Sequence, residues 1–201
     1  MTKGIIFDLY GTLLETKVKT KPYLKLFRSL GLTKEEMSLW SHKVQTENFS
    51  SFEELKELIK PGSTIYTGQL DYEVREEIQN TFVYSDTIST LKKLKSHYRL
   101  FLLSNLATPY KECFYNEGLD EHFEKAFFSC DIGFRKPEAG AYQTILDYSG
   151  LKPKQLLMIG DSKVSDYEGA LNCGIPAILK DKDLSIYESK MYQWFEISYQ
   201  R

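Results

Sequence analysis

Four short segments of the sequence join apolar runs to side chains that can do chemistry. The first is Ile5-Ile6-Phe7-Asp8-Leu9-Tyr10-Gly11-Thr12-Leu13, where an aspartate ends an apolar run and a glycine follows three residues on. A carboxylate placed there can act as a nucleophile or a metal ligand, and Gly11 lets the backbone turn sharply away. The second segment, Leu103-Ser104-Asn105, offers a hydroxyl and an amide able to hold phosphoryl or carboxylate oxygens. Arg135-Lys136-Pro137 supplies a cation in a loop before a helical stretch. The fourth, Ile159-Gly160-Asp161-Ser162-Lys163-Val164-Ser165-Asp166, carries two carboxylates five residues apart.

These residues need a scaffold that gathers them at one edge. Apolar runs at Ile5–Asp8, Leu100–Ser104, Ala126–Ser129, Leu156–Gly160 and Ala177–Leu179 are predicted strands. They are almost continuously apolar, as strands covered on both faces must be. Helices are expected between them near Thr87–Ser96, Pro109–Glu117, Glu138–Tyr148 and Ser165–Cys173, with Thr108 as a cap before Pro109 and Gly174 as a stop. That alternation predicts an α/β fold with a parallel sheet, whose ligands bind beyond the C-terminal strand ends.

The stretch from about Leu14 to Thr81 reads differently. It shows no convincing strand, but Thr33 with Glu36 and Ser51 with Glu54 form capping-box starts, and Pro61-Gly62 breaks it in the middle. A helical insert is expected there. The tail from Asp181 to Arg201 holds Trp194, Phe195, Ile197 and Tyr199 and is expected to pack on the core.

Composition narrows the function classes. With 26 basic and 28 acidic residues the net charge is -2, which gives no polybasic field for nucleic acid or an anionic membrane. The three cysteines, Cys113, Cys130 and Cys173, are too scattered for a disulfide framework or a zinc site, and point to a reducing compartment. No run is long and apolar enough for a signal or a membrane span, so a cytoplasmic location is expected.

In this order and at these spacings, the four segments resemble the motifs of the haloacid dehalogenase superfamily, which includes many phosphatases. The resemblance covers Ile5 to about Leu179, with the insert only loosely matched. It implies a Rossmann-like parallel sheet core, residues 1–14 and 82–201, with a small α-helical cap, residues 15–81. By the same resemblance Asp8 is the nucleophile that forms a covalent aspartyl intermediate, and Thr12 steadies it. Ser104 and Asn105 bind the transferring group, and Lys136 neutralises charge between nucleophile and substrate. Asp161 and Asp166 hold magnesium together with Asp8 and the main-chain carbonyl of Tyr10. Elementary electrostatics agrees: three carboxylates at one strand edge repel one another unless a cation intervenes, and one lysine offsets only one charge. A hard divalent ion, magnesium before others, accounts for the rest.

One departure divides the functional readings. Phosphatases of this superfamily mostly carry a second aspartate two residues after the nucleophile as general acid and base; here that position is Tyr10. Such help is worth about a hundred- to ten-thousandfold in rate. Tyr10-Gly11-Thr12-Leu13 looks like the dehalogenase branch, yet those enzymes lack the acid found here as Asp161. They also carry an arginine in the insert where Leu39-Trp40-Ser41-His42-Lys43 places Ser41. The leading reading is a magnesium-dependent phosphatase acting on a small phosphorylated metabolite, slowed by Tyr10. The alternatives are a 2-haloacid dehalogenase and a catalytically weak binding or regulatory protein on the same scaffold. Monomer and homodimer are both compatible.

Plainer roles stand beside these. Ser104 and Asn105 can cap a turn, Lys136 can be a surface cation, and Asp166 can cap the following helix. His42, His97 and His122 share no pattern and read as surface or partly packed residues. Tyr23, Phe27, Trp40 and Phe49 read as core of the insert, and one or two could line a pocket if it closes over the site.

Overall fold

A computed structural model of the protein describes residues 2–180; the aromatic tail from Asp181 onward lies outside the described residues. Five parallel strands form the main sheet: β1 (Gly4–Phe7), β4 (Arg99–Ser104), β5 (Lys125–Phe128), β6 (Leu156–Gly160) and β7 (Ala177–Leu179), in the order β5-β4-β1-β6-β7. The near-continuous apolar runs follow from the period of two. Ile5, Phe7, Leu100, Leu102, Leu157 and Ile159 pack into one core cluster, while Ile6, Phe101, Leu103, Leu156 and Met158 pack into another. Each strand therefore needs apolar residues at every position. The molecule is an α/β protein with a Rossmann-like sheet.

Around the sheet lie α5 (Thr87–Lys95), α6 (Glu112–Asn116), α7 (Ser129–Ile132), α8 (Ala139–Ser149) and α9 (Gly169–Asn172). Chain order reverses beside β1: the next main-sheet strand, β4, lies on one side and β6 on the other. Connections leaving β1 and β6 diverge there and open a crevice beyond their C-terminal ends. Asp8 and Asp161 are the first residues past those two strands.

Between β1 and α5 the chain builds a helical layer of its own, α1 (Pro22–Ser29), α2 (Lys34–Thr46), α3 (Phe52–Ile59) and α4 (Gly68–Gln79). Leu26, Phe27, Leu30, Val44, Phe52, Leu55, Leu70 and Val74 form its core, joined by Ala107 from the sheet side. The Thr33–Glu36 capping box starts α2 with both reciprocal bonds present. At α3 Ser51 accepts from the Glu54 N–H, but the Glu54 carboxylate turns to Ser50 instead, so only half of the expected box forms.

Several expectations need correction. The Leu14–Thr81 stretch is flanked by two strands, β2 (Leu14–Thr16) and β3 (Thr81–Val83), which pair antiparallel. Three residues each are too few for a period-two pattern to show. Strand β1 stops at Phe7 and β5 at Phe128, so Asp8 and Ser129 lie just past strand ends, with Ser129 already opening α7. Thr108 does not cap: its hydroxyl donates to Asn48 Oδ1, and Pro109 sits in a 3-10 turn, Thr108–Lys111, that precedes α6. The helix expected at Ser165–Cys173 begins as a π-helical turn, Lys163–Glu168, capped by Ser162 rather than Asp166. Gly174 does end α9, at φ +74°.

Candidate active site

Asp8 leaves the sheet while still tied to it. Its N–H donates to the Ile159 carbonyl at 2.9 Å, and its carboxylate emerges at the crevice. Lys136 Nζ donates to Asp8 Oδ1 at 2.6 Å, and the Thr12 hydroxyl donates to Oδ2 at 3.2 Å. The same ammonium, only 2% exposed, donates to Asp166 Oδ1 at 2.6 Å. The other oxygen of Asp166 accepts the Ser162 N–H at 2.9 Å. A buried cation thus bridges two carboxylates, one at the end of β1 and one in the turn after β6.

The electrostatics follow from burial. Loss of water pushes the Asp8 carboxyl up to about 6, with Asp166 and Asp161 adding to the rise and Lys136 opposing it. Burial works against the Lys136 charge too, but Asp8 and Asp166 together hold it above the ordinary lysine value. Lys136 stays charged where it is needed.

Asp161 completes the cluster. One oxygen each from Asp8, Asp161 and Asp166 lie within 4.8 Å of one another. Glycine makes this approach possible: a Cβ on Gly11, whose φ is +78°, would stand 2.5 Å from Asp161 Oδ2. A Cβ on Gly160 would collide in the same way with Asp166. Each of the three thus offers an oxygen that could hold an ion, with Asp8 and Asp166 also sharing the Lys136 ammonium. Few hard oxygen ligands beside solvent suit Mg2+, which binds through one or two carboxylates and keeps several waters.

The remaining expected residues fall at the same edge with different engagements. Ser104 ends β4, buried beside β1. The Asn105 side chain clasps the Lys136 backbone, donating to its carbonyl at 2.7 Å and accepting its N–H at 2.8 Å. This clasp fixes the loop that delivers the lysine. The Tyr10 side chain points elsewhere: its hydroxyl donates to Cys113 Sγ at 2.9 Å and its ring meets Tyr110 edge-on. Burial, then the Cys113 sulfur, holds the phenol well above the ordinary tyrosine value, so it keeps its proton.

A cleft of about 490 Å³ lies between the helical layer and the sheet, lined by Tyr10, Lys21, Ser41, Val44, Asn105 and Tyr110 among others. Glu77 holds one wall together. Its Oε1 accepts from the Thr20 N–H, the Thr20 hydroxyl and the Lys21 N–H, and its Oε2 from the Tyr110 hydroxyl at 2.5 Å. Sequence reasoning missed Glu77, since nothing local marks a helical glutamate as a buried knot. It also missed Lys180, a buried lysine directly after β7 whose ammonium reaches the Gly11 carbonyl. There the signal was present: a charged residue ending an apolar strand is what singles out Asp8 and Asp161.

Comparison with known proteins finds relatives over most of the chain. A glyceraldehyde 3-phosphate phosphatase of Methanothermobacter thermautotrophicus is 30% identical over 202 aligned positions, covering 92% of this chain and 88% of its own. The enzyme so named from Pyrococcus furiosus is 26% identical, covering 88% and 79%. In fold, the chain matches a haloacid dehalogenase family enzyme of Bacteroides thetaiotaomicron, crystallised with magnesium and inorganic phosphate. That match has a TM-score of 0.68 at 18% identity, over 92% of this chain and 98% of that one. The sequence profile of the haloacid dehalogenase-like hydrolases runs through all four segments, over residues 2–174, and the chain belongs to that family of hydrolases.

Proposed function

We propose that the protein is a magnesium-dependent phosphatase acting on small phosphorylated metabolites, with Asp8 as its nucleophile. The observation that carries this reading is the Asp8 carboxylate held between the Thr12 hydroxyl and the Lys136 ammonium, with Asp161 close by. An Asp8 oxygen attacks phosphorus, the bond to the ester oxygen breaks, and the alcohol leaves with a proton drawn from water. Water then attacks the aspartyl phosphate, releasing inorganic phosphate and restoring the carboxylate. Lys136 offsets the charge between nucleophile and phosphoryl oxygens; Thr12 fixes the carboxylate, Asp166 fixes Lys136, the Asn105 amide fixes the loop that carries Lys136, and Ser104 at the end of β4 is assigned to the transferring group. Asp8, Asp161 and the Tyr10 carbonyl would hold Mg2+, which would supply positive charge to the phosphate.

Two further features refine the reading. Tyr10 is buried against Cys113 and holds its proton tightly, so it gives the departing alkoxide no acid. Esters with good leaving groups are then the better substrates. The relatives named as glyceraldehyde 3-phosphate phosphatases, aligned over most of their length, support a small phosphorylated substrate. Against carbon–halogen hydrolysis stand Asp161 in the cluster and Ser41, which puts no cation on its stretch of the cleft wall.

The test is phosphate release from an aryl phosphate and from glyceraldehyde 3-phosphate, with and without Mg2+, beside halide release from 2-chloropropionate. Phosphate release should require the metal, run faster on the aryl ester, and fall by about three orders of magnitude or more in Asp8→Asn. Metal-independent halide release, with no phosphate release, would overturn the reading.

A further inference from the structure

Among the described residues, Lys180 is a buried lysine near the carboxylate cluster to which the phosphatase reading gives no task. Its side chain is 3% exposed. Its N–H donates to the Gly160 carbonyl at 2.7 Å, extending the β6–β7 pairing to the point where Asp161 begins. Its ammonium donates to the Gly11 carbonyl at 3.1 Å and lies 4.1 Å from the centre of the Tyr84 ring. Burying a flexible cationic side chain is costly, and a cation–ring contact with one carbonyl bond offsets only part of that cost. The negative charges nearby, Asp161, Asp86, Glu15 and Asp8, offset more of it, yet burial still holds the ammonium below the ordinary lysine value.

What the ammonium grips is the softest point of the nucleophile loop. Gly11 must be glycine because of its positive φ and its approach to Asp161, and a glycine leaves its peptide planes free to rock. On one side of Gly11 is Tyr10, with its main-chain carbonyl; on the other is Thr12, with its hydroxyl on Asp8. The loop has bonds of its own, Gly11 N–H to the Leu14 carbonyl at 2.8 Å and Leu13 N–H to the Leu9 carbonyl at 2.8 Å. Neither engages the Gly11 carbonyl.

We propose that Lys180 is a positioning residue for catalysis: by holding the Gly11 carbonyl it sets the Tyr10 carbonyl and the Thr12 hydroxyl at the distances the metal and the nucleophile require. This inference rests on the phosphatase reading. It makes Lys180 a pin that acts through the backbone, which a purely electrostatic role would not require. The two roles predict opposite responses to the metal. Removing a cation from beside the cluster strengthens the attraction for Mg2+ if charge alone matters. Removing a pin weakens it, because a ligand carbonyl is no longer held in place.

Lys180→Met, unbranched and one atom shorter, loses both the charge and the donor. With the full chain, titration of Mg2+ alone, followed by the rise in melting temperature, should show a dissociation constant weakened about three- to tenfold. With an aryl phosphate at saturating metal, kcat should fall about tenfold while KM stays within twofold. Lys180→Arg, which can still reach the carbonyl and cover Tyr84, should recover most of both losses, while Lys180→Gln, too short to reach, should not. These two variants carry the test if Lys180→Met prevents folding. Tighter Mg2+ binding in Lys180→Met, or equal behaviour of the Arg and Gln variants, would overturn the proposal. Wild-type protein without phosphatase activity sinks the underlying reading instead, and the metal titration distinguishes the two failures.

Discussion

A carboxylate buried beside two others resists ionisation, and Asp8 carries the mark of that resistance in its pKa, pushed from 3.8 to about 6. The consequence for stability has a definite sign. Between about pH 4 and 6 the folded protein binds the Asp8 proton more tightly than the unfolded chain does. The contribution of Asp8 is therefore most favourable below pH 4, declines as pH rises to about 6, and is level beyond. A divalent cation relieves the same repulsion, so Mg2+ should raise the melting temperature more at pH 7 than at pH 4.5. Melting curves with and without the metal at the two pH values check this; an equal shift at both would exclude Asp8 as a ligand. At this scale the sequence was legible wherever a charged residue directly follows an apolar strand, as Asp8 and Asp161 do. It was illegible where a side chain serves a distant backbone. The type of Asn105 suggested a group facing substrate, and nothing in the chain around it shows that its amide clasps the main chain of Lys136.

Among the elements, those formed by strong local chemistry were the ones readable from the chain. The capping box at Thr33 and Glu36 starts α2 as its spacing requires, and the five main-sheet strands appear within one residue of their apolar runs at each end. Thr33→Ala should lower stability by about 1 kcal/mol in urea denaturation, because it leaves the Glu36 N–H without its acceptor. The carboxylate cluster lies outside α2, so phosphate turnover should be unaffected. Elements fixed by tertiary pairing were not readable. Leu14-Glu15-Thr16 and Thr81-Phe82-Val83 become strands only because the chain returns from 65 residues away and sets them side by side. The π-helical start at Lys163 likewise answers to Asp166 turning inward to Lys136, a demand no helix propensity expresses.

For the molecule as a whole, α2 and the residues just past its end form one junction between the helical layer and the sheet domain. His42 Nε2 lies 2.8 Å from Glu138 Oε1, Gln45 accepts from Arg135 at 3.1 Å, and Asn48 donates to the Cys130 carbonyl at 3.0 Å. Arg135 and Glu138 flank Lys136-Pro137, so the helix that borders the cleft touches the loop that carries the lysine. Glu138→Ala should accelerate amide exchange about tenfold across both 36–46 and 134–140, leaving 156–160 protected. Exchange that changes in only one of the two segments would show that they open separately. Such long-range contacts join residues 82 or more positions apart, and no pattern within either segment announces them. The two short strands have a consequence of their own. The chain enters the helical layer along β2 and leaves it along β3, so the layer hangs from the sheet like a page from its spine. Any turn of that page would bend the spine, while the Asp8 carboxylate is tied to Lys136 and Thr12 in the volume behind it. Residues of the page away from His42 and Gln45 can then change without disturbing the Lys136–Asp8 pair.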